Sequence, residues 1–335
     1  GANNADMIYI SASDLNLDTS NSISTAGTVK LEDTSGNITL NASGAHAGAN
    51  DITADELATI TNTGAAVTII SSGNVTLANN GVYDITGGTA ADLTITATGD
   101  IALAGADNND GLKAKSITLT ASDDITQNAQ TNDVLETTAG NLTLTGDSIG
   151  ATNGLDVKVV TGVLSIDADA AAGNVNVTSG TALSLGDIDL TAADTATINV
   201  NGAAMTTGTA ITSSGTLDLT GDGVTLSENV TAKALTIDAS SDGGTTTGDM
   251  TLVVTNGKTL TTSTGDLTVK AKSVLDDGGD DVTVSVAGNL VVDADAAAGN
   301  VKIGSAAALA LGDIDLNTAD TATINVNGAA MTTGT

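Results

Sequence analysis

Carboxylates are the chemically active side chains that this sequence supplies in quantity: 40 Asp and Glu stand against 9 basic residues, all of them lysine, for a net charge of −31. The close pairs Asp167/Asp169, Asp187/Asp189, Asp293/Asp295 and Asp313/Asp315 are of the residue type that glycoside hydrolysis uses, where one carboxyl protonates the leaving oxygen and the other attacks or activates water. They recur at one phase of a repeat, however, and an active site is normally built once, so duplication points to strand edges or corners instead. Two loops gather acids among Gly and Asn: Asp107-Asn108-Asn109-Asp110-Gly111 and Asp276-Asp277-Gly278-Gly279-Asp280-Asp281. Hard oxygen ligands on flexible turns suit calcium, which makes Asp107, Asp110, Asp276, Asp277, Asp280 and Asp281 candidate ligands. Neither loop has EF-hand spacing and no run of GGxGxD units follows, so solvated surface charge is the simpler reading.

Other constellations are thinner. His46 is the single histidine, set among small residues from Gly44 to Asn50, which leaves no HExxH zinc helix and reads as a solvated loop residue. Thr-x-Thr pairs at Thr94/Thr96, Thr118/Thr120, Thr143/Thr145 and Thr195/Thr197 raise the ordering of ice, but threonine also simply favours strands. Along the sequence the pairs skip many coils, where an ice-binding array needs them at one phase of each.

Composition excludes several classes. An excess of acid of this size opposes nucleic acid and anionic lipid, both of which require a basic patch. Lyases acting on acidic polysaccharides need cationic side chains to hold substrate carboxylates, and scattered lysines without arginine do not provide them. There is no Pro, Cys, Trp or Phe, and Tyr9 and Tyr83 are the only aromatic residues, so any core must be thin and aliphatic. A hydrophobic content of 40% argues for order nonetheless. No apolar run is long enough to span a bilayer, so no membrane insertion is expected.

The elements that would position these residues show in the repeats. Leu164 to Thr209 aligns without gaps on Leu290 to Thr335, an offset of 126 residues, with 10 mismatches over 46 positions, and Asp194–Thr209 recurs unchanged as Asp320–Thr335. A shorter unit of Gly, then Asn or Asp, then alternating aliphatic residues and Thr appears throughout: GNITL from Gly36, GNVTL from Gly73, GDIAL from Gly99, GNLTL from Gly140, GDLTV from Gly265. It reads as a turn entering a short strand, with glycine supplying a positive φ and Asn or Asp bonding its own backbone. One strand face is aliphatic and the other Thr-rich, a pattern too light for a sandwich but sufficient if strands stack directly into ladders. The spacing predicts an all-β, elongated parallel β-helix (β-solenoid) over residues 1–335, as one segment of a longer repetitive protein. Its coils are about 20 residues each, some 16 in number, with no helix of useful length. Ile38, Leu40, Val75, Leu77, Leu142, Leu144, Leu217, Leu219, Leu267 and Val269 are the expected core, and Ala168 to Ala172 an inter-strand loop.

The strings GNLTLTG (Gly140–Gly146), GDLTVKA (Gly265–Ala271) and TITATGDIAL (Thr94–Leu103) resemble the repeats of filamentous haemagglutinin-like exoproteins of two-partner secretion systems. The resemblance implies a right-handed coil, export to the bacterial cell surface or beyond, and an adhesive or structural role. It carries over no functional residues, and the amino-terminal secretion domain of that family is not in this sequence. The expected function is therefore a non-enzymatic structural or adhesive segment. Its partners would be neighbouring copies or coils of the same protein, a cell surface or extracellular matrix, with no cofactor apart from the calcium just considered. The alternatives are a polysaccharide-degrading β-helix enzyme and a calcium- or ice-binding solenoid.

Overall fold

The computed structural model describes residues 7–15, 27–42, 50–61, 66–78, 81–86, 91–103, 111–128, 134–240, 250–294, 299–316 and 320–333. Two compact units make up the chain, Gly1–Gly162 and Val163–Thr335. Both are built from parallel strands stacked as a β-solenoid, about 12 turns of ~22 residues, which is fewer and longer than the sequence spacing predicts. The physical reason is visible in the first unit, where Val29 pairs with Val67, 38 residues on, because the intervening coil also holds the strand Asp51–Thr53 and the helix Ala54–Thr61.

Alternation of aliphatic and polar residues puts one side chain in two inside each coil. In the first unit Val29, Val67, Leu93, Ile117 and Leu142 lie in one continuous ladder, and Leu31, Ile69, Ile95, Leu119 and Leu144 in the next. Ile38, Val75, Ile101 and Ile125 line a second face, while Tyr83, Leu112, Leu135 and Val157 line a third. The second unit repeats the principle over more coils: Val177, Ile198, Leu219, Ile237, Val269 and Val292 stand in one file. All ten expected core residues are buried. At about 0.8 kcal/mol per buried methylene group, such files are the main favourable contribution to the fold.

The Gly-[Asn/Asp] signature works differently from the sequence expectation. Asp187 accepts from the adjacent Ile188 N (3.1 Å), but Asn37, Asn74, Asp100 and Asp266 accept from the backbone of the next coil. Asn74 N donates to Asn37 Oδ1 (2.8 Å), Asp100 N to Asn74 Oδ1 (3.0 Å), Asp124 N to Asp100 Oδ1 (3.2 Å) and Ser148 N to Asp124 Oδ1 (3.1 Å). Asn289 N to Asp266 Oδ1 (2.7 Å) repeats the bond in the second unit. The preceding glycine follows from this ladder: a Cβ at Gly73 would overlap Asn37 Oδ1, and one at Gly99 would overlap Asn74 Oδ1. Neither Gly73 nor Gly99 has a positive φ, so close approach, not left-handed backbone, selects glycine there.

The helix Ala54–Thr61 corrects the expectation of a chain without one. Its cause is a capping box in which Glu56 N donates to Thr53 Oγ1 (3.2 Å) and Thr53 N to Glu56 Oε2 (2.6 Å). The signal, Thr-x-x-Glu at 53–56, was in the sequence, but the helix is only 8 residues long and lacks a long periodic stripe. Of the loop expected over Ala168 to Ala172, Ala170–Ala172 are an exposed loop, whereas Ala168 ends the strand Leu164–Ala168 and is buried.

Candidate functional site

Side chains that face outward from these ladders are the ones available for chemistry. In the second unit Asp167 and Asp189 are register partners on adjacent strands, and Asp293 and Asp315 repeat the pairing. Asp167 is held above the ordinary carboxylate range by partial burial, by its hydrogen bond with Asp169 and by the charges of Asp169 and Asp189. Asp189 is raised by burial first, then by Asp169 and Asp187. Both shifts favour the protonated form, because burial and a neighbouring carboxylate each penalise the charge. The group lies on the outward side of the strand Leu164–Ala168, beside the exposed turn Ala170–Ala172. The same bulge accompanies both copies, between Leu164 and Ile166 against Leu185 and Ile188 in one, and between Leu290 and Val292 against Leu311 and Ile314 in the other. Repetition of bulge and acid pair together fits the reading of a strand corner.

In the loop at 276–281 the candidate calcium ligands are brought close in sequence but turned to separate tasks. Asp276 is buried and accepts from Asp280 N within its own turn, Asp277 Oδ1 accepts from Asn256 N (2.9 Å), and Asp281 Oδ2 accepts from Asn325 Nδ2 (2.6 Å). Lys302 Nζ donates to the carbonyl of Gly279 at the head of the turn. Among the described residues no group of three or more His, Cys, Asp or Glu side chains converges as a metal site. Asp107, Asp110, Asp295 and His46 lie outside the described residues.

Sequence reasoning passed over a buried polar group in the first unit. Tyr83 is fully buried, and its phenol is raised well above its usual value by burial, then by Glu56 and Asp51. Glu56 belongs to the helix cap and Asp51 accepts from Asn41, so this cluster closes a coil and offers no free acid or base.

Lysines mostly pair along the stack: Lys113 with Asp84 (3.4 Å), Lys115 with Asp92 (3.2 Å), Lys158 with Glu136 (3.3 Å) and Lys258 with Glu228 (2.6 Å). Asp84 is pushed up by burial but brought below its usual value by hydrogen bonds from Thr86 and by Lys113. An open groove of about 400 Å³ in the first unit runs beside the Lys115–Asp92 pair, lined also by Ser116, Thr118, Asn141 and Thr143. Here the Thr-x-Thr pairs do fall at one phase: Thr94/Thr96, Thr118/Thr120 and Thr143/Thr145 stack in register on three consecutive coils. Thr195/Thr197 lies elsewhere, beside Thr216 and Asp218 in the second unit, where no such array forms. Comparison with known families, with curated proteins and with solved structures finds no match to this chain.

Proposed function

We propose that this chain is a non-enzymatic scaffold of an extracellular bacterial surface protein or fibre, presenting a repeated acidic surface for adhesion or for assembly with copies of itself. The observation that carries the reading is the agreement of the two copies in the second unit at the level of single bonds. Gly173 N donates to Asp194 Oδ1 (3.0 Å) as Gly299 N donates to Asp320 Oδ1 (2.7 Å). Ser179 Oγ donates to the carbonyl of Thr181 (2.9 Å) as Ser305 Oγ does to that of Ala307 (3.0 Å). A duplication that keeps coil length, bulge and outward acids multiplies surface, whereas a catalyst needs a single constellation.

The test is an in-phase deletion of Ala210–Thr335. The remaining coils should keep the parallel-β circular dichroism signal, because coils contact mainly their neighbours, and beads coated with the shorter chain should adhere to cell monolayers less, in proportion to the lost surface. Turnover of any polysaccharide in a panel of neutral and acidic glycans by the intact chain would overturn the reading.

A further inference from the structure

We propose that the outer face of the strands Ala66–Ser71, Asp92–Ala97, Ser116–Ala121 and Leu142–Thr145 is a contact surface for ordered water, that is, for the face of an ice crystal. Two ladders make this face. Thr68, Thr94, Thr118 and Thr143 stand in the first, and Ile70, Thr96, Thr120 and Thr145 in the second. All eight face outward and are half-exposed, while the residues between them, Ile69, Ile95, Leu119 and Leu144 among them, are fully buried. Burial of that inner row fixes the strands, so the outer row forms a rigid plane.

Three properties of the plane identify its ligand. First, it is regular: strand geometry sets about 6.6 Å between alternate residues and coil stacking about 4.8 Å between rungs, and β-branched side chains hold restricted χ1 angles, so hydroxyl and methyl groups repeat on a lattice. Second, its eight outward residues are uncharged in a chain of net charge −31, and charges stand only at its borders: Lys30 and Glu32 on the rung beside Thr68 and Ile70, and the pair Asp92–Lys115. Third, its seven hydroxyls are free: none of them bonds to another described side chain or backbone group, so each is open to water. A discrete solute is held by unlike groups converging on one point, whereas identical groups at fixed spacing match a ligand that is itself a neutral lattice of donors and acceptors.

Ice and crystalline polysaccharide both fit that description. Polysaccharide surfaces are gripped through flat aromatic faces, and this plane has none. Tyr83 is buried on another face, and Tyr9, two rungs away, is occupied by Lys30 over its ring (4.7 Å) and by Glu32. The methyl and hydroxyl mixture is suited to water that is already half ordered by its neighbours, which favours ice.

The proposal goes beyond the scaffold reading and lies outside the duplicated window, so either can fail alone. The experiment measures thermal hysteresis and partitioning into a growing ice front for the intact chain, Thr118→Lys, Thr118→Val and the control Thr236→Lys, an outward threonine of the second unit. Expected are hysteresis and partitioning above buffer for the intact chain and the control. Thr118→Lys should lose both at an unchanged melting temperature, and Thr118→Val should lose them in part. Absence of both activities in the intact chain, or full activity in Thr118→Lys, would overturn the proposal. Retention on crystalline chitin or cellulose without any effect on ice would also overturn it and assign the plane to polysaccharide.

Discussion

Asp194–Thr209 and Asp320–Thr335 are the same sixteen residues, and the structure places their described residues in different surroundings. In the first copy Ala196, Ile198 and Val200 are buried because the strand Thr216–Thr220 pairs on top of them, setting Leu217 over Ala196 and Leu219 over Ile198. In the second, Ala322, Ile324 and Val326 pair with the coil below through Val301, Ile303 and Ser305 and are half-exposed on the other side. Met205 is 0% exposed and Met331 44%. Identical sequence thus gives an identical strand, and within these 335 residues a different degree of cover: a solenoid coil buries only the half of its apolar surface that a neighbour covers, and burial of the other half depends on the coil that adjoins it.

The largest expected effect comes from placing a charge at matched positions. Ile198→Asp buries a carboxylate with no partner and should cost several kcal/mol, lowering the melting temperature sharply, whereas Ile324→Asp leaves the carboxylate a path to water and should shift it little. Equal shifts would break the comparison. Truncation to alanine comes next: Ile198→Ala should cost about 2–5 kcal/mol and Ile324→Ala clearly less, read by chemical denaturation with the slope unchanged.

Glycines at the bulge sharpen the comparison from the opposite direction, since there the coil below does the crowding. A Cβ at Gly186 would overlap the Ser165 hydroxyl, which can rotate away, and meet Val163 Cγ2 at 3.0 Å, and one at Gly312 would meet Val291 Cγ2 at 2.9 Å. Gly186→Ala and Gly312→Ala should therefore destabilise by similar amounts, about 1–3 kcal/mol, despite the difference in cover above them. A neutral Gly312→Ala would mean that the second copy relaxes where the first does not.

The smallest effect is electrostatic. Asp167 and Asp189 have folded-state pKa values raised above the unfolded value near 3.8, by burial and by neighbouring carboxylates. The folded chain binds more protons than the unfolded one between that value and the raised one. These groups therefore add stability as pH falls through the window and withdraw it as pH rises. At neutral pH the repulsion is fully present, so Asp189→Asn should raise the melting temperature slightly at pH 7 and not at pH 3. Asp84 has the opposite sign: its lowered value contributes stability above the usual carboxylate range that is lost on acidification.

The period-two aliphatic pattern was enough to predict the parallel coil and its core, because in a ladder of like on like the inward residue of each strand is set by its own sequence: Leu142 and Leu217 are buried for the same local reason. The helix cap at Thr53–Glu56 was legible too, as a short motif outweighed by the surrounding strand pattern. The calcium candidates at 276–281 were legible as a cluster, but spacing along a loop does not say which way carboxylates turn, and Asp276 turns inward to close its own backbone.

Register between coils is what the chain alone withheld. Coil lengths vary, with Ala196 and Leu217 21 residues apart and Leu217 and Leu235 18 apart, so a count along the sequence loses phase within a few turns. Only the stacked structure shows that Thr94, Thr118 and Thr143 meet in one row, that the Asn of one coil receives the amide of the next, and that Met205 and Met331 have different neighbours. The sequence by itself determined which side of each strand is apolar, because that depends on alternation within a few residues. Tertiary structure decided which residues share a surface and how deeply each is covered, because both depend on contacts between residues some twenty positions apart, where variable loops set the phase.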